Sequence, residues 1–441
     1  MISDGQLQEL KVYRALERGL PLESKPAFAS LVVAGENETL PIHRWFRFKE
    51  AYSAGLLPAL LAAYPPDNKK SCSLLDPYCG VGTTLLSAQA SDEYQLNAVG
   101  IEYNPFIRFV AKTKVEWPFV DPSLMESIGS KVVDVPPVSL DLVPKLSGFS
   151  TGRCMSTFIA RRLLAIRDAI NSDGRSATHQ ALLLGLAAMI EPLSHTRKDG
   201  RALRLVTRRR QGVSQALLAK WRLMAEDLRQ MQKISRTLNT VAVIAGDGRR
   251  PLTHGIEAQS VDIIVTSPPY FNNIDYSEVY KLELWLLGFI NDSEDFLSLR
   301  KGTFRSHPAS NLSEIEDGFV KTISKGALRR AFDPILRKLD TSTEKWRRKL
   351  FVAYFADITS ALQQYWAVLN PGGRAFITVG NSLHGGKYAP YVVATDLLIA
   401  ELARSLGFAV ERISVARSLK RRLSGNHFLR ESVVGIRKAD G

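Results

Sequence analysis

Apolar residues follow two rhythms along this chain. Short solid runs, bounded by Gly, Pro or Asp, alternate with longer segments whose apolar positions recur at helical spacing. The runs Ser71–Leu75, Asn97–Ile101, Thr240–Ala245, Val261–Val265 and Arg374–Val379 predict buried strands. Phe408–Val415 and Glu431–Ile436 predict two final antiparallel strands, making seven in all. Helical spacing predicts helices over Lys49–Tyr64, Thr84–Ala90, Ser156–Ile170, Ala177–Met189, Val213–Thr237, Tyr276–Phe289, Phe351–Leu369 and Tyr391–Leu406. Pro65 and Pro66 stop the first, and an Asn-Pro-Gly-Gly turn closes the helix that ends at Leu369. The opening order of strand, glycine turn, helix and strand is that of an open α/β sheet.

That alternation breaks after Ile101. Pro118–Ser150 reads as a loop-rich crossover, and helices then dominate up to Thr237. Three parts follow from this. Residues 1–117 hold a weakly periodic N-terminal segment and the first part of the sheet. Residues 118–239 form a mainly helical insertion. Residues 240–441 complete the sheet and carry a polar, basic insertion near 292–349.

Charge adds a partner class. Lys and Arg outnumber Asp and Glu by 58 to 44, a net charge of +14, which attracts polyanions. The excess clusters in Arg197–Arg222, Lys321–Lys349 and Arg417–Arg430. Arg208, Arg209 and Arg210 are the densest point, suited to a nucleic-acid backbone or to plain solvation. Three scattered cysteines and no Cys-x-x-Cys pair argue against a disulfide scaffold and a cysteine zinc site, so no metal is expected. The N-terminus lacks an apolar signal core, and Ala181–Ile190 is too short to span a bilayer. A cytoplasmic protein is the expectation.

Chemistry concentrates in two loops. Asp76-Pro-Tyr-Cys-Gly-Val-Gly82 follows the first strand. Gly80 and Gly82 let backbone amides approach a ligand. Glu102 ends the next strand, placed to accept hydrogen bonds from ribose hydroxyls. The glycines read GxG rather than GxGxxG, which suits a nucleoside without a pyrophosphate, such as S-adenosylmethionine. A plain tight turn remains open. Asp76 is a candidate for the ligand's amino group or for capping the turn. Asp247, after the third strand, is a candidate acceptor for an adenine amine or a turn residue. The second loop is Thr266-Ser-Pro-Pro-Tyr270. Two prolines fix φ twice and remove two N–H donors, leaving their carbonyls free to accept. Ser267 Oγ and the Pro268 carbonyl can hold both hydrogens of an exocyclic amine. Tyr270 offers a face for stacking on a base removed from its helix.

These motifs resemble the amino-methyltransferases that modify cytosine N4 or adenine N6 in DNA. The family's FxGxG motif corresponds to Tyr78-Cys79-Gly80-Val81-Gly82, and its [DNS]PPY motif to Ser267-Pro268-Pro269-Tyr270. The segment Ile42–Ser53 resembles one found ahead of the glycine loop in some members. The Ser-Pro-Pro-Tyr form is closest to the cytosine-N4 branch. The resemblance implies a Rossmann-like class I methyltransferase fold and S-adenosylmethionine as cofactor. Asp76, Tyr78, Gly80, Gly82, Thr83, Glu102, Asp247 and Ser267 would bind it. Ser267, Pro268, Pro269 and Tyr270 would be catalytic. Tyr270, Asn272, Asn273, Asp275 and Arg208–Arg210 would meet the substrate, and the 118–239 insertion would recognise the target. Asn381 and His384, after a later strand, are substrate contacts or turn residues.

The implied partner is double-stranded DNA with base flipping, and a restriction endonuclease would be a separate chain because no nuclease motif is evident. Two departures stand out: the glycine loop precedes Ser-Pro-Pro-Tyr, and a large insertion separates the second and third strands. They leave adenine-N6 methylation, RNA-base methylation and a catalytically silent DNA-binding subunit as alternatives. No Pro-Cys pair is present, which argues against methylation at carbon.

Overall fold

A computed structural model of the 441-residue chain describes residues 9–66, 71–143, 151–199, 202–207, 212–234, 238–313, 317–385, 390–419 and 427–440. Its centre is an eight-stranded sheet. The strands are β1 (Leu22–Ser24), β2 (Ser71–Asp76), β3 (Gln95–Glu102), β4 (Val241–Ala245), β5 (Val261–Thr266), β6 (Leu369–Gly380), β7 (Ala409–Ser418) and β8 (Arg430–Arg437). Across the sheet the order is β4-β3-β2-β5-β6-β8-β7-β1. All neighbours pair in parallel except β8, which is antiparallel to both β6 and β7. Without β1, this is the seven-strand Rossmann-like order of a class I methyltransferase.

The central strands form where the sequence is apolar on both faces, whereas β4, expected to be buried, lies at the sheet's edge with none of its residues fully buried. In β5, Val-Asp-Ile-Ile-Val-Thr is buried at five of its six positions. Its side chains alternate between two cores, as a pleated strand requires. Leu74, Ile263 and Val265 join one cluster, while Leu75 and Ile264 join the other. The insertion after β3 covers the first face. Its helices Pro122–Val132, Thr157–Asp173, Ala177–Leu193 and Val213–Gln232 bury Leu163, Leu182 and Trp221 in the same cluster as Leu74 and Leu85. It is therefore continuous with the sheet's core. The insertion before β6 covers the other face, through helices that include Gly326–Asp340 and Lys345–Val368.

Several local expectations differ from the structure. The helix expected over Lys49–Tyr64 spans only Leu56–Ala63, because the preceding residues line a cavity. The weakly periodic N-terminal segment forms a helix, Glu9–Glu17, and strand β1. The crossover contains the helix Pro122–Val132, capped by Asp121 accepting from the Ser123 and Leu124 amides. The basic run includes an antiparallel hairpin, Thr196–Asp199 with Ala202–Leu205. The Asn-Pro-Gly-Gly turn lies inside β6, where the register against β5 shifts between Val261 and Ile263. Helix Tyr276–Phe289 is two short helices, Tyr276–Val279 and Lys281–Leu286.

Candidate functional site

Parallel strands deliver their carboxyl ends to one edge of the sheet. Asp76 ends β2, Glu102 ends β3, and Asp247 and Ser267 follow β4 and β5 within two residues. A cavity of about 370 Å³ opens there, within the range for small-molecule sites. Asp76, Tyr78, Gly80, Thr83, Glu102, Asp247, Ser267, Pro268, Pro269, Tyr270 and Asn272 all line it. Gly80 and Gly82 have φ of +52° and +82°, a left-handed backbone that glycine adopts without penalty. Gly82 lies outside the lining and starts the helix Thr83–Gln89.

The carboxylates on the glycine-loop side sit in different settings. Asp76 is buried, and its Oδ2 accepts from the Tyr52 hydroxyl at 3.1 Å and from Thr84 Oγ1. Its Oδ1 accepts from the Tyr78 amide at 3.2 Å, so it does cap its turn. Burial pushes its pKa up to about 6, against the opposing hydrogen bonds. Glu102 accepts from the Asn104 amide at 2.7 Å, and burial pushes it up to about 7. Asp247 is gripped by Arg249, whose Nε lies 2.9 Å from each carboxylate oxygen. Arg249 also donates to Asp357 at 2.9 Å and to the Gly302 carbonyl at 3.1 Å. This ties Asp247 to the Gly302–Phe304 segment, which forms another cavity wall. Cys79 is no nucleophile, since burial pushes its thiol well above the ordinary range.

The Ser-Pro-Pro-Tyr side is tied to the far part of the sheet by hydrogen bonds. The Tyr270 hydroxyl donates to Glu431 Oε1 at 3.0 Å. Glu431 Oε2 accepts from Arg417 Nε at 2.7 Å. Burial, then the Glu431 carboxylate, pushes the Tyr270 phenol well above its ordinary pKa, so it stays a donor. With its one proton given to Glu431, the phenol oxygen is left as an acceptor, and the Ser267 hydroxyl brings two lone pairs to the cavity wall. The ring of Tyr270 packs over Gly380 of β6, where a Cβ would lie 3.0 Å from its Cε2. A side chain at this position would crowd the ring.

Other expected substrate residues are placed elsewhere or left out. Asp275 lies outside the cavity lining and caps the next helix by accepting from the Ser277 and Glu278 amides, while its other oxygen pairs with Arg300. Asn273 also lies outside the lining, at φ +63°. Arg208, Arg209 and Arg210 fall outside the described residues. Asn381 is a structural bridge, donating to Asp396 Oδ1 at 2.8 Å and to the Phe428 carbonyl at 2.9 Å. His384 is buried against Ser382 and the Phe271 carbonyl. The basic regions are partly internal. Lys198 is buried in a pair with Glu283, and Arg430 is buried between Asp396 and Glu17.

Sequence reading missed Tyr52, Thr84, Arg249, Arg417 and Glu431. Tyr52 lay in the segment already set apart by its resemblance, and Thr84 and Arg249 sit beside recognised motifs. Arg417 stood out only as one end of a basic region and Glu431 not at all, because only strand pairing brings them to the cavity. Among the described residues, no group of three His, Cys, Asp or Glu side chains could hold a metal. Among them too, no helix is long and apolar enough to cross a membrane.

No family model matches the chain. It is 24% identical over 419 residues to the type II methyltransferase M.AvaI of Nostoc sp. (strain PCC 7120), covering 86% of this chain and 81% of that protein. It is 22% identical over 461 residues to the type II methyltransferase M.BsoBI of Geobacillus stearothermophilus, covering 94% and 88%. Among solved structures it aligns with the rRNA methyltransferase aviRa of Streptomyces viridochromogenes at 12% identity, over 93% of this chain and 90% of that one, with a TM-score of 0.29. That score is too low to relate the two folds.

Proposed function

We propose that this chain transfers a methyl group from S-adenosylmethionine to the exocyclic N4 amine of cytosine in duplex DNA, with the base turned out of the helix. The observation that carries the reading is a single cavity lined by both the glycine loop and Ser-Pro-Pro-Tyr. Cofactor and amine sites adjoin there, and holding two reactants together removes much of the entropic barrier. The two type II methyltransferases similar over most of the chain support the same class.

The residues present fit the cofactor. Glu102 offers acceptors to ribose hydroxyls, Asp76 an acceptor to an amino group, and the Arg249-held Asp247 an acceptor to an adenine amine. Bound there, S-adenosylmethionine supplies an electrophilic methyl group. The protein's part on the other side is to orient the amine. The Ser267 hydroxyl oxygen is one acceptor, and the Pro268 carbonyl is a second. Two acceptors match the two N–H groups of an exocyclic amine. They strengthen as positive charge develops on its nitrogen. Exposed basic residues of the insertion such as Arg204 face the polyanion. The reading puts the protein in the cytoplasm, with any companion endonuclease on a separate chain.

Expression in a methylation-free host, followed by mass spectrometry of nucleosides from total DNA and RNA, tests it. N4-methylcytosine in DNA is expected. N6-methyladenine would overturn the base, and modification confined to RNA would overturn the polymer. A 2-aminopurine at the target should brighten on binding if the base leaves the stack.

A further inference from the structure

Arg417 belongs to a basic region that the proposed function leaves unused, yet its side chain, though 39% exposed, lines the cavity. It lies directly opposite Glu431 in the β7–β8 ladder, and Glu431 lies opposite Gly380 of β6. Tyr270 packs on Gly380. One row across the sheet thus carries Arg417 and Glu431 into the cavity beside Ser-Pro-Pro-Tyr, and both line it. Glu431 is spent, one oxygen on Tyr270 and the other on Arg417. Arg417 is held by Nε alone, and among the described residues its two terminal nitrogens have no other partner. A side chain so fixed, with donors left over at a cavity wall, is arranged to meet an acceptor.

The chemistry of the target says which acceptor. Along its pairing edge, cytosine presents the amine, then a ring-nitrogen acceptor, then a carbonyl acceptor. Adenine presents the amine, a ring-nitrogen acceptor, then a C–H. If Ser267 and Pro268 hold the amine, the far end of that edge is a carbonyl in cytosine only. A guanidinium cannot lose its proton and has no acceptor, so it rewards the carbonyl and gains nothing from the C–H.

We propose that Arg417, held by Glu431, donates to the carbonyl of the flipped pyrimidine and selects cytosine over adenine. The proposal rests on the reading of the Ser267 site as an amine site for cytosine.

The test uses the full-length protein and duplexes carrying its site as mapped in methylated host DNA. The target position holds either cytosine or a 2-aminopyridine C-nucleoside, which keeps the amine and ring nitrogen but lacks the carbonyl. Single-turnover transfer should fall at least about tenfold from cytosine to the analogue in the unaltered protein. In Arg417→Ala the two substrates should differ less than about threefold, because the partner of the carbonyl is already gone. Cofactor affinity by calorimetry should be unchanged, which also checks folding. The salt dependence of DNA binding should keep its slope. Equal cytosine-to-analogue ratios in the two proteins would overturn the assignment. So would a slope lowered by about one in the variant with its ratio intact, the signature of a phosphate contact. Should Arg417→Ala not fold, the unaltered protein and Arg417→Lys decide, and a ratio below about threefold in the unaltered protein refutes the contact. Failure of the underlying reading looks different: the unaltered protein would modify adenine in host DNA, and the arginine assignment would fall with it.

Discussion

Lowering the pH should weaken cofactor binding through Glu102. Burial lifts this carboxyl from an ordinary 4.5 to about 7. Ribose hydroxyls donate, so they require the charged, accepting form, and binding expels the proton wherever the carboxyl still holds it. The sign follows: affinity is gained as pH rises through about 7 and lost as it falls. At pH 6 only about one molecule in ten has this carboxyl charged. Each further unit down costs about tenfold in affinity, or about 1.4 kcal/mol. Asp76, lifted to about 6, steepens the dependence below that pH if it also binds in its charged form. Titration calorimetry of S-adenosylmethionine from about pH 5.5 to 8, in buffers of different ionisation enthalpy, measures both affinity and proton release. Release should approach one proton per ligand near pH 6. Glu102→Gln should bind more weakly at pH 8 and lose this component, while any titration of the ligand itself remains in both proteins. A pH profile identical in the two proteins would refute the reasoning.

Three other perturbations separate the parts of the site. Ser267→Ala removes an acceptor used only by the amine, so kcat should fall about 10- to 100-fold with cofactor affinity within about twofold, as radiolabelled transfer beside calorimetry would report. Tyr270→Phe keeps the ring over Gly380 but removes the hydroxyl that donates to Glu431; kcat should fall about tenfold, and a rate equal to the unaltered protein's would remove any role for that bond. Asp227→Ala strips a fully buried carboxylate from the Ile42 amide, the Arg44 guanidinium and Trp45 Nε1, and denaturant unfolding should show a loss of about 3 kcal/mol.

The sheet was legible because its strands are apolar almost throughout, and five of them lie where apolar runs predicted them, although β4 sits at an edge and is not buried as expected. The edge strand β1 was not. It is three residues long, Leu-Glu-Ser, and exists through its pairing with β7 rather than through any pattern of its own. The hairpin at Thr196–Leu205 was hidden in the same way, by charged residues that suggested solvent. One of them, Lys198, instead lies over the rings of Phe46 and Tyr280 and pairs with Glu283. Within the site, the two loops were readable because their chemistry is local to a few consecutive residues. Arg417 and Glu431 were not, because they meet Tyr270 only through three strands of register.

The insertion after β3 reaches the proposed cofactor site through long-range contacts of the same kind. The wall residues Phe48 and Tyr52 lie in a segment with no regular helix or strand from Phe46 to Gly55, so its position must be set by side chains. Asp227, on the insertion's last helix, anchors one end through Ile42, Arg44 and Trp45. The hairpin holds the middle, with Lys49 Nζ donating to the Lys198 carbonyl at 3.1 Å. Tyr280, at the break between the two short helices after Ser-Pro-Pro-Tyr, holds it too, donating to Glu50 at 3.0 Å and stacking on Phe48 at 5.5 Å. From there Tyr52 reaches Asp76 at the foot of the glycine loop. The insertion's packing is thus joined by continuous contacts to Asp76 at the proposed cofactor site.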